Sequence, residues 1–299
     1  MLTRLRRELC SQLDTSHSGL NELDYPHAFP SPPREISTSE AFQSSTSFLE
    51  QPRNAQTLSP YGSVTTAPPL PKDRQEDQLT WFYYLAEIAL RKVELGMSEI
   101  FSLSSPVHSS SSNTSTTTPT GLEDPHHPIR TEDLLSNAKE FELQLKLWYE
   151  CLPAMLKFPL DSPAPCHDER LQYLRMRYWF IVSTLYRPFL YYLIHSSTPP
   201  PPAQAAKMRE YARKGLEIDT NLILSNVITH RHHGAWLAIR AVTANSLVLG
   251  AAAKAGMRMP ERWREAVVAA RNFLVHWQSE VRDAGPLRKV VEAVERGRI

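Results

Sequence analysis

Cysteine is scarce in this chain of 299 residues: Cys10, Cys151 and Cys166 stand apart and are odd in number. With no C-x2-C pair they make neither a disulfide framework nor a thiolate metal cluster, and they fit free thiols in a reducing compartment. A strong charge of one sign is also missing. The net charge is +1, and the nearest approach to a basic stripe is Arg4, Arg6 and Arg7, too short for a DNA-binding surface. No Gly-rich phosphate loop, G-x-S-x-G elbow or H-E-x-x-H pair occurs, so the chain reads as non-enzymatic. The opening MLTRLRRELCSQL lacks the apolar core of a secretory signal, because charges interrupt it every few residues. Only residues 235–253 approach spanning length. They contain Arg240 and Asn245, and a central Arg costs about 2.5–3.5 kcal/mol on insertion, so this stretch is expected to be a buried helix of a soluble, intracellular protein with no membrane partner. No stretch alternates with period two, which excludes strands and leaves an all-α fold.

What is present is uneven. Residues 203–299 carry 16 Lys/Arg against 9 Asp/Glu, whereas residues 1–202 carry 17 against 23. Charge halves of this kind favour contact with each other or with partners. Residues 1–72 are rich in Pro, Ser and Thr and bury too little apolar surface to offset the entropy of ordering, so this segment is expected to be mostly disordered. A helical domain is expected over 73–299, interrupted by a Ser/Thr-rich loop at 104–128.

Within that domain the most informative stretch is QLTWFYYLAEIALRKV, residues 78–93. At 100° per residue Trp81, Tyr84, Leu85, Ile88 and Ala89 share a side, extended by Phe82, Ala86, Leu90 and Val93, so the helix is expected to be buried on most sides. The remaining polar stripe holds Tyr83, Glu87, Arg91 and Glu94. Glu87 precedes Arg91 by four residues, the favourable ion-pair order, and this pair is the part of the helix expected to face a partner. Thr131 is expected to cap the next helix, whose seam is Leu134, Ala138, Phe141, Leu145 and Trp148 and which stops near Pro153. A third helix from about residue 169 buries Leu171, Leu174, Tyr178, Ile181, Val182 and Leu185, and Pro188 is expected to kink or end it. Further helices are expected near 203–228, 232–255, 260–281 and 286–296. Pro260 and Pro286 fall in first turns, Gly256 at a helix end and Gly285 in the following break.

Few residues combine into chemistry. Of His230, His232 and His233, the first and last would share a helix face and could recruit a third metal ligand, yet no carboxylate or thiol is nearby, and a polar helix junction is the better reading. His126 and His127 are loop residues. Cys166, His167 and Asp168 are the right types for a thiol nucleophile, but sequence neighbours rarely attain triad geometry. Arg187 is different. It sits among Tyr186, Phe189, Tyr191 and Tyr192 and needs either a buried carboxylate, for which Glu87 is the natural candidate, or a ligand anion. Aromatic-rich helices of this sort can enclose an effector pocket, which makes Trp81, Tyr84, Glu87, Arg91 and Arg187 the candidate structural or pocket residues.

Four segments in order carry a family resemblance. They are the Trp81-to-Lys92 helix WFYYLAEIALRK; LPAMLKF at 152–158; LYRPFL at 185–190; and the closing helices punctuated by Trp236, Trp263 and Trp277. Together they resemble the back half of the helical regulatory domain of fungal binuclear-zinc-cluster transcription factors. Family members bind zinc through a six-cysteine cluster that reads DNA, and this sequence has no such cluster. The resemblance therefore implies a transcription regulator in the nucleus, with no cofactor in this chain and no direct DNA binding by it alone. It implies either a shortened product or a clusterless relative. The partners it implies are a homo- or heterodimer with related factors and a small-molecule effector. The alternatives are an interaction module that pairs with an intact relative, and an all-α enzyme with an aromatic pocket.

Overall fold

The computed structural model describes residues 72–103, 131–196, 199–226 and 234–297. Among the described residues there are seven α-helices and no strand: α1 (Lys72–Leu103), α2 (Thr131–Glu150), α3 (Glu169–His195), α4 (Pro202–Leu224), α5 (Ala235–Lys254), α6 (Trp263–Trp277) and α7 (Ala284–Glu295). A 3-10 turn at Ala154–Leu156 follows α2. The all-α expectation holds. Apart from Lys72, which opens α1, the segments expected to be disordered lie outside the described residues, as do the two histidine groups.

The chain divides into two compact units, Met1–Leu85 and Ala86–Ile299. The described part of the first is the N-terminal portion of α1, where Trp81 packs its ring at 4.9 Å on Phe82 and Tyr84 is 53% exposed. The exposure of Tyr84 corrects the helical-wheel reading, and Ala89 is exposed as well. The buried side of α1 in the second unit is Ala86, Leu90 and Met97, together with Glu87. A helix this apolar offers more than one face, and only the arrangement of its neighbours selects between them. Here Trp148 of α2 donates its indole N–H to the Ala86 carbonyl at 3.0 Å. Arg177 of α3 reaches Glu94 at 2.5 Å.

In α2 the expected seam is the buried one, residue for residue. Thr131, however, gives its hydroxyl to Gln204 Oε1 at 2.6 Å, so it links α2 to α4. Trp148 then stacks on Tyr178 at 5.6 Å, with Phe158 packed against both rings. This contact closes the segment after α2 over the first turns of α3.

Pro188 does not end α3, which runs on to His195. An internal proline costs roughly 3 kcal/mol. The two residues after it, Phe189 and Leu190, are buried in the core, and each contributes about 1.5–3 kcal/mol. Continuation of the helix therefore wins. α3 packs most extensively on α4, and paired positions run in opposite directions along the two helices (Gln172 with Ser225, Ser183 with Asp219, Tyr186 with Tyr211). They are antiparallel. Gly215 makes the close approach possible: a Cβ there would lie 3.0 Å from the Tyr186 Cβ.

The C-terminal core is built from Leu190 of α3, Leu216 and Ile223 of α4, Ile239 and Leu249 of α5, and the inner stripes of α6 and α7. By length and composition α5 would suffice to cross a membrane. In the fold it packs on α4, α6 and α7, and Val242, Leu249 and Ala252 lie in this core. Its end is a Schellman motif: Gly256 has φ 70°, Gly256 N–H reaches Ala253 O and Met257 N–H reaches Ala252 O. Several expected boundaries move: α4 ends at Leu224 rather than near 228, and α6 ends at Trp277 rather than near 281. Helix α6 starts at Trp263 rather than Pro260, and α7 takes in Gly285 ahead of Pro286.

Candidate functional site

α3, α4 and α5 meet around a polar knot and an adjoining cavity, both within the second unit. The knot is centred on Arg187, one turn after Ser183 on α3. Its guanidinium donates to Ser183 Oγ and to Asn245 Oδ1, both at 3.1 Å, and lies 3.8 Å from the Asp219 carboxylate. Ser183 in turn donates to Asp219 at 2.5 Å. Three helices thus share one hydrogen-bonded group of four side chains. The expectation that Arg187 needs a buried carboxylate holds, but the carboxylate is Asp219 and not Glu87. Glu87 accepts from Arg91 at 2.8 Å on its own helix and is itself buried. The polar stripe of α1 is therefore turned partly inward: Glu87 is enclosed and Glu94 pairs with Arg177.

Asp219 is 3% exposed. Burial, opposed by Arg187 and the Ser183 hydrogen bond, pushes its carboxyl from an ordinary 3.8 up to about 6. The guanidinium that opposes burial is itself more than a third exposed, so its field is partly screened.

Beside the knot is a cavity of about 160 Å³. Met176 and Phe180 of α3, Leu222 of α4, and Ala238 and Val242 of α5 make it mainly apolar. Two polar wall residues are already engaged. Gln172 accepts from the Cys166 N–H and from Arg175 and donates to the Ser225 carbonyl. Ser225 donates its hydroxyl to the Pro163 carbonyl. Asn245 belongs to both the cavity wall and the knot.

Two further clusters are structural. Arg175 is fully buried and donates to the carbonyls of Ser162 (2.9 Å) and Ala164 (2.6 Å), with its guanidinium 4.8 Å over the Trp179 ring. Trp179 donates to the Leu160 carbonyl. Together they fasten the segment before α3 against the helix. Glu142 of α2 accepts from Tyr186 (2.5 Å), Tyr211 (2.8 Å) and Lys214 (3.0 Å), while the two tyrosine rings stack at 5.2 Å. Burial alone would raise the Glu142 carboxyl, but these three donors bring it below the usual carboxylate range.

Cys166, His167 and Asp168 do not form a nucleophilic set. Asp168 caps α3, accepting from Arg170 N–H at 2.7 Å and pairing with its guanidinium, which lowers its carboxyl. Burial pushes the Cys166 thiol up, away from thiolate. Among the described residues no group of three or more His, Cys, Asp or Glu could hold a metal ion.

Comparison with protein-family models, with curated proteins and with solved structures gives no match to this chain.

Of the five residues singled out from sequence, Arg187 stands in the site, Glu87 and Arg91 form a local pair on α1, and Trp81 and Tyr84 belong to the other unit. Asp219 and Ser183 escaped notice, and Asn245 was read only as a polar interruption of an apolar stretch. The available signal was a lone acid, a serine and an asparagine at inward positions of otherwise apolar helices, each of which calls for a buried partner.

Proposed function

We propose that this chain is a non-catalytic helical regulatory domain of a transcription regulator, acting in the nucleus through the state of its helix packing. The observation that carries the reading is the shared Asn245, which lines the cavity and at the same time holds Arg187 in the knot between α3, α4 and α5. An occupant of the cavity touches the three helices that the knot joins, so binding biases their arrangement. Coupling of this kind typically amounts to about 1–3 kcal/mol, enough for a five- to 150-fold change in a partner's affinity. The resemblance to the fungal zinc-cluster regulators supports the transcriptional role. LPAMLKF follows α2, LYRPFL lies on α3 beside the knot, and the Trp-bearing helices α5 and α6 wall the same core. DNA contact falls to a dimeric partner, a related factor that carries its own zinc cluster.

The full chain, fused to a heterologous DNA-binding domain and a fluorescent tag, tests this. The expected result is nuclear fluorescence with a changed reporter level, and a different level again when Ala241→Phe fills the cavity. Cytosolic protein with an unmoved reporter would overturn the reading.

A further inference from the structure

The cavity wall specifies the chemistry of its occupant. Its volume of about 160 Å³ is close to that of engineered apolar cavities of about 150 Å³ that take up benzene, so one substituted six-membered ring fits. Among the described residues lining it, the sole charged side chain is the exposed Glu169, whose carboxylate disfavours an anion. A cation would have to leave water for walls of Met176, Phe180, Leu222 and Val242, at a cost no carboxylate inside the cavity offsets. The occupant is therefore neutral.

Asn245 decides the rest. It is 4% exposed. A guanidinium only donates, so the amide oxygen must face Arg187, as it does at 3.1 Å. Among the described residues no hydrogen bond uses the other end of the amide, its two N–H donors. Asn245 lines the cavity, so an acceptor placed there completes the hydrogen bonding of this amide. Gln172 Oε1 already accepts two hydrogen bonds, and the Ser225 hydroxyl is turned to the Pro163 carbonyl.

We propose that the α3–α4–α5 cavity binds a small, uncharged, aromatic or alicyclic molecule bearing one carbonyl-type acceptor, which receives a hydrogen bond from the Asn245 amide. This rests on the reading of the cavity as the effector pocket and names the ligand class of that pocket. The acceptor ties the occupant to the same side chain that fixes Arg187, so occupancy tightens the knot.

Matched probes test it on the full chain. Acetophenone carries the acceptor, α-methylstyrene has the same shape with a methylene in place of the oxygen, and benzoate adds a charge. Affinities are read by ligand-observed NMR titration and by the shift in melting temperature. Acetophenone is expected to bind about three- to tenfold tighter than α-methylstyrene, the worth of one neutral hydrogen bond, with benzoate weakest. Asn245→Asp keeps an oxygen for Arg187 and removes the donors; it is expected to erase the preference for acetophenone while α-methylstyrene still binds. Helicity by circular dichroism verifies that this variant folds, and Asn245→Leu serves the same comparison in its place. Equal binding of the two neutral probes, strongest binding of benzoate, or binding of none of the three would overturn the proposal. The reporter experiment separates the two readings: a responsive reporter without probe binding removes the ligand class only, whereas probe binding with an unmoved reporter removes the regulatory role.

Discussion

Asp219→Asn isolates the electrostatics of the buried knot. Burial holds the Asp219 carboxyl near 6 in the folded chain, against 3.8 when it is free. Between those values the folded state binds more protons than the unfolded one, so stability falls as pH rises through the window and levels off above about 6. The full difference corresponds to about 3 kcal/mol at 1.36 kcal/mol per pH unit, and about half of it falls between pH 5 and 7.5. Asparagine keeps the oxygen that accepts from Ser183 but cannot ionise. Its extra N–H group adds a penalty of about 1–3 kcal/mol that does not vary with pH. The slope, not the absolute stability, is therefore the observable.

Thermal unfolding of the two proteins across pH 5 to 7.5 gives that slope directly. For a unit of this size 1 kcal/mol corresponds to about 2–4 °C, so native melting should drop by about 3–6 °C relative to the variant over the range. Groups common to both proteins cancel in the difference. Glu142 acts with the opposite sign: its lowered carboxyl contributes stability that is present above its unfolded value and lost as pH falls through its folded value, below the range used. Parallel melting curves from pH 5 to 7.5 would refute a buried, strained carboxylate at Asp219.

Three other substitutions follow from the packing. Tyr186→Phe removes one donor to Glu142 and keeps the ring stack on Tyr211; it should cost about 1–2 kcal/mol in urea unfolding, and an unchanged midpoint would show that the hydroxyl contributes nothing. Gly215→Ala gains up to about 1 kcal/mol of helix propensity but presses on the Tyr186 Cβ at 3.0 Å, an overpacking cost of about 1–3 kcal/mol; net stabilisation would mean the α3–α4 contact is looser than it looks. Arg175→Met preserves bulk in the core but releases the carbonyls of Ser162 and Ala164. Amide exchange across residues 160–166 should speed up at least tenfold while the global midpoint moves by less than about 2 kcal/mol, and unchanged exchange would contradict the fastening role.

Much of the architecture was legible before any coordinates. Periodicity located every described helix to within a few residues, and the α2 seam of Leu134, Ala138, Phe141, Leu145 and Trp148 was read in full. Those features are local: they depend on which residues recur at 3.6-residue spacing and on where Gly and Pro interrupt. The site was legible only in part. Arg187 stood out because its aromatic setting demanded a partner, yet the choice of Glu87 followed salience in the sequence rather than space.

Local pattern, then, determined the helices, the absence of strands among the described residues and the demand that Arg187 be satisfied. Tertiary structure decided which face of α1 is buried, whether Pro188 ends α3, and which carboxylate answers Arg187. The physical reason is common to all three. Each depends on the free energy of a contact between elements far apart in sequence: Trp148 on Ala86, Phe189 in the core, Asp219 opposite Ser183. Those contacts outweigh a helical wheel or a proline penalty, and no window along the chain contains both partners.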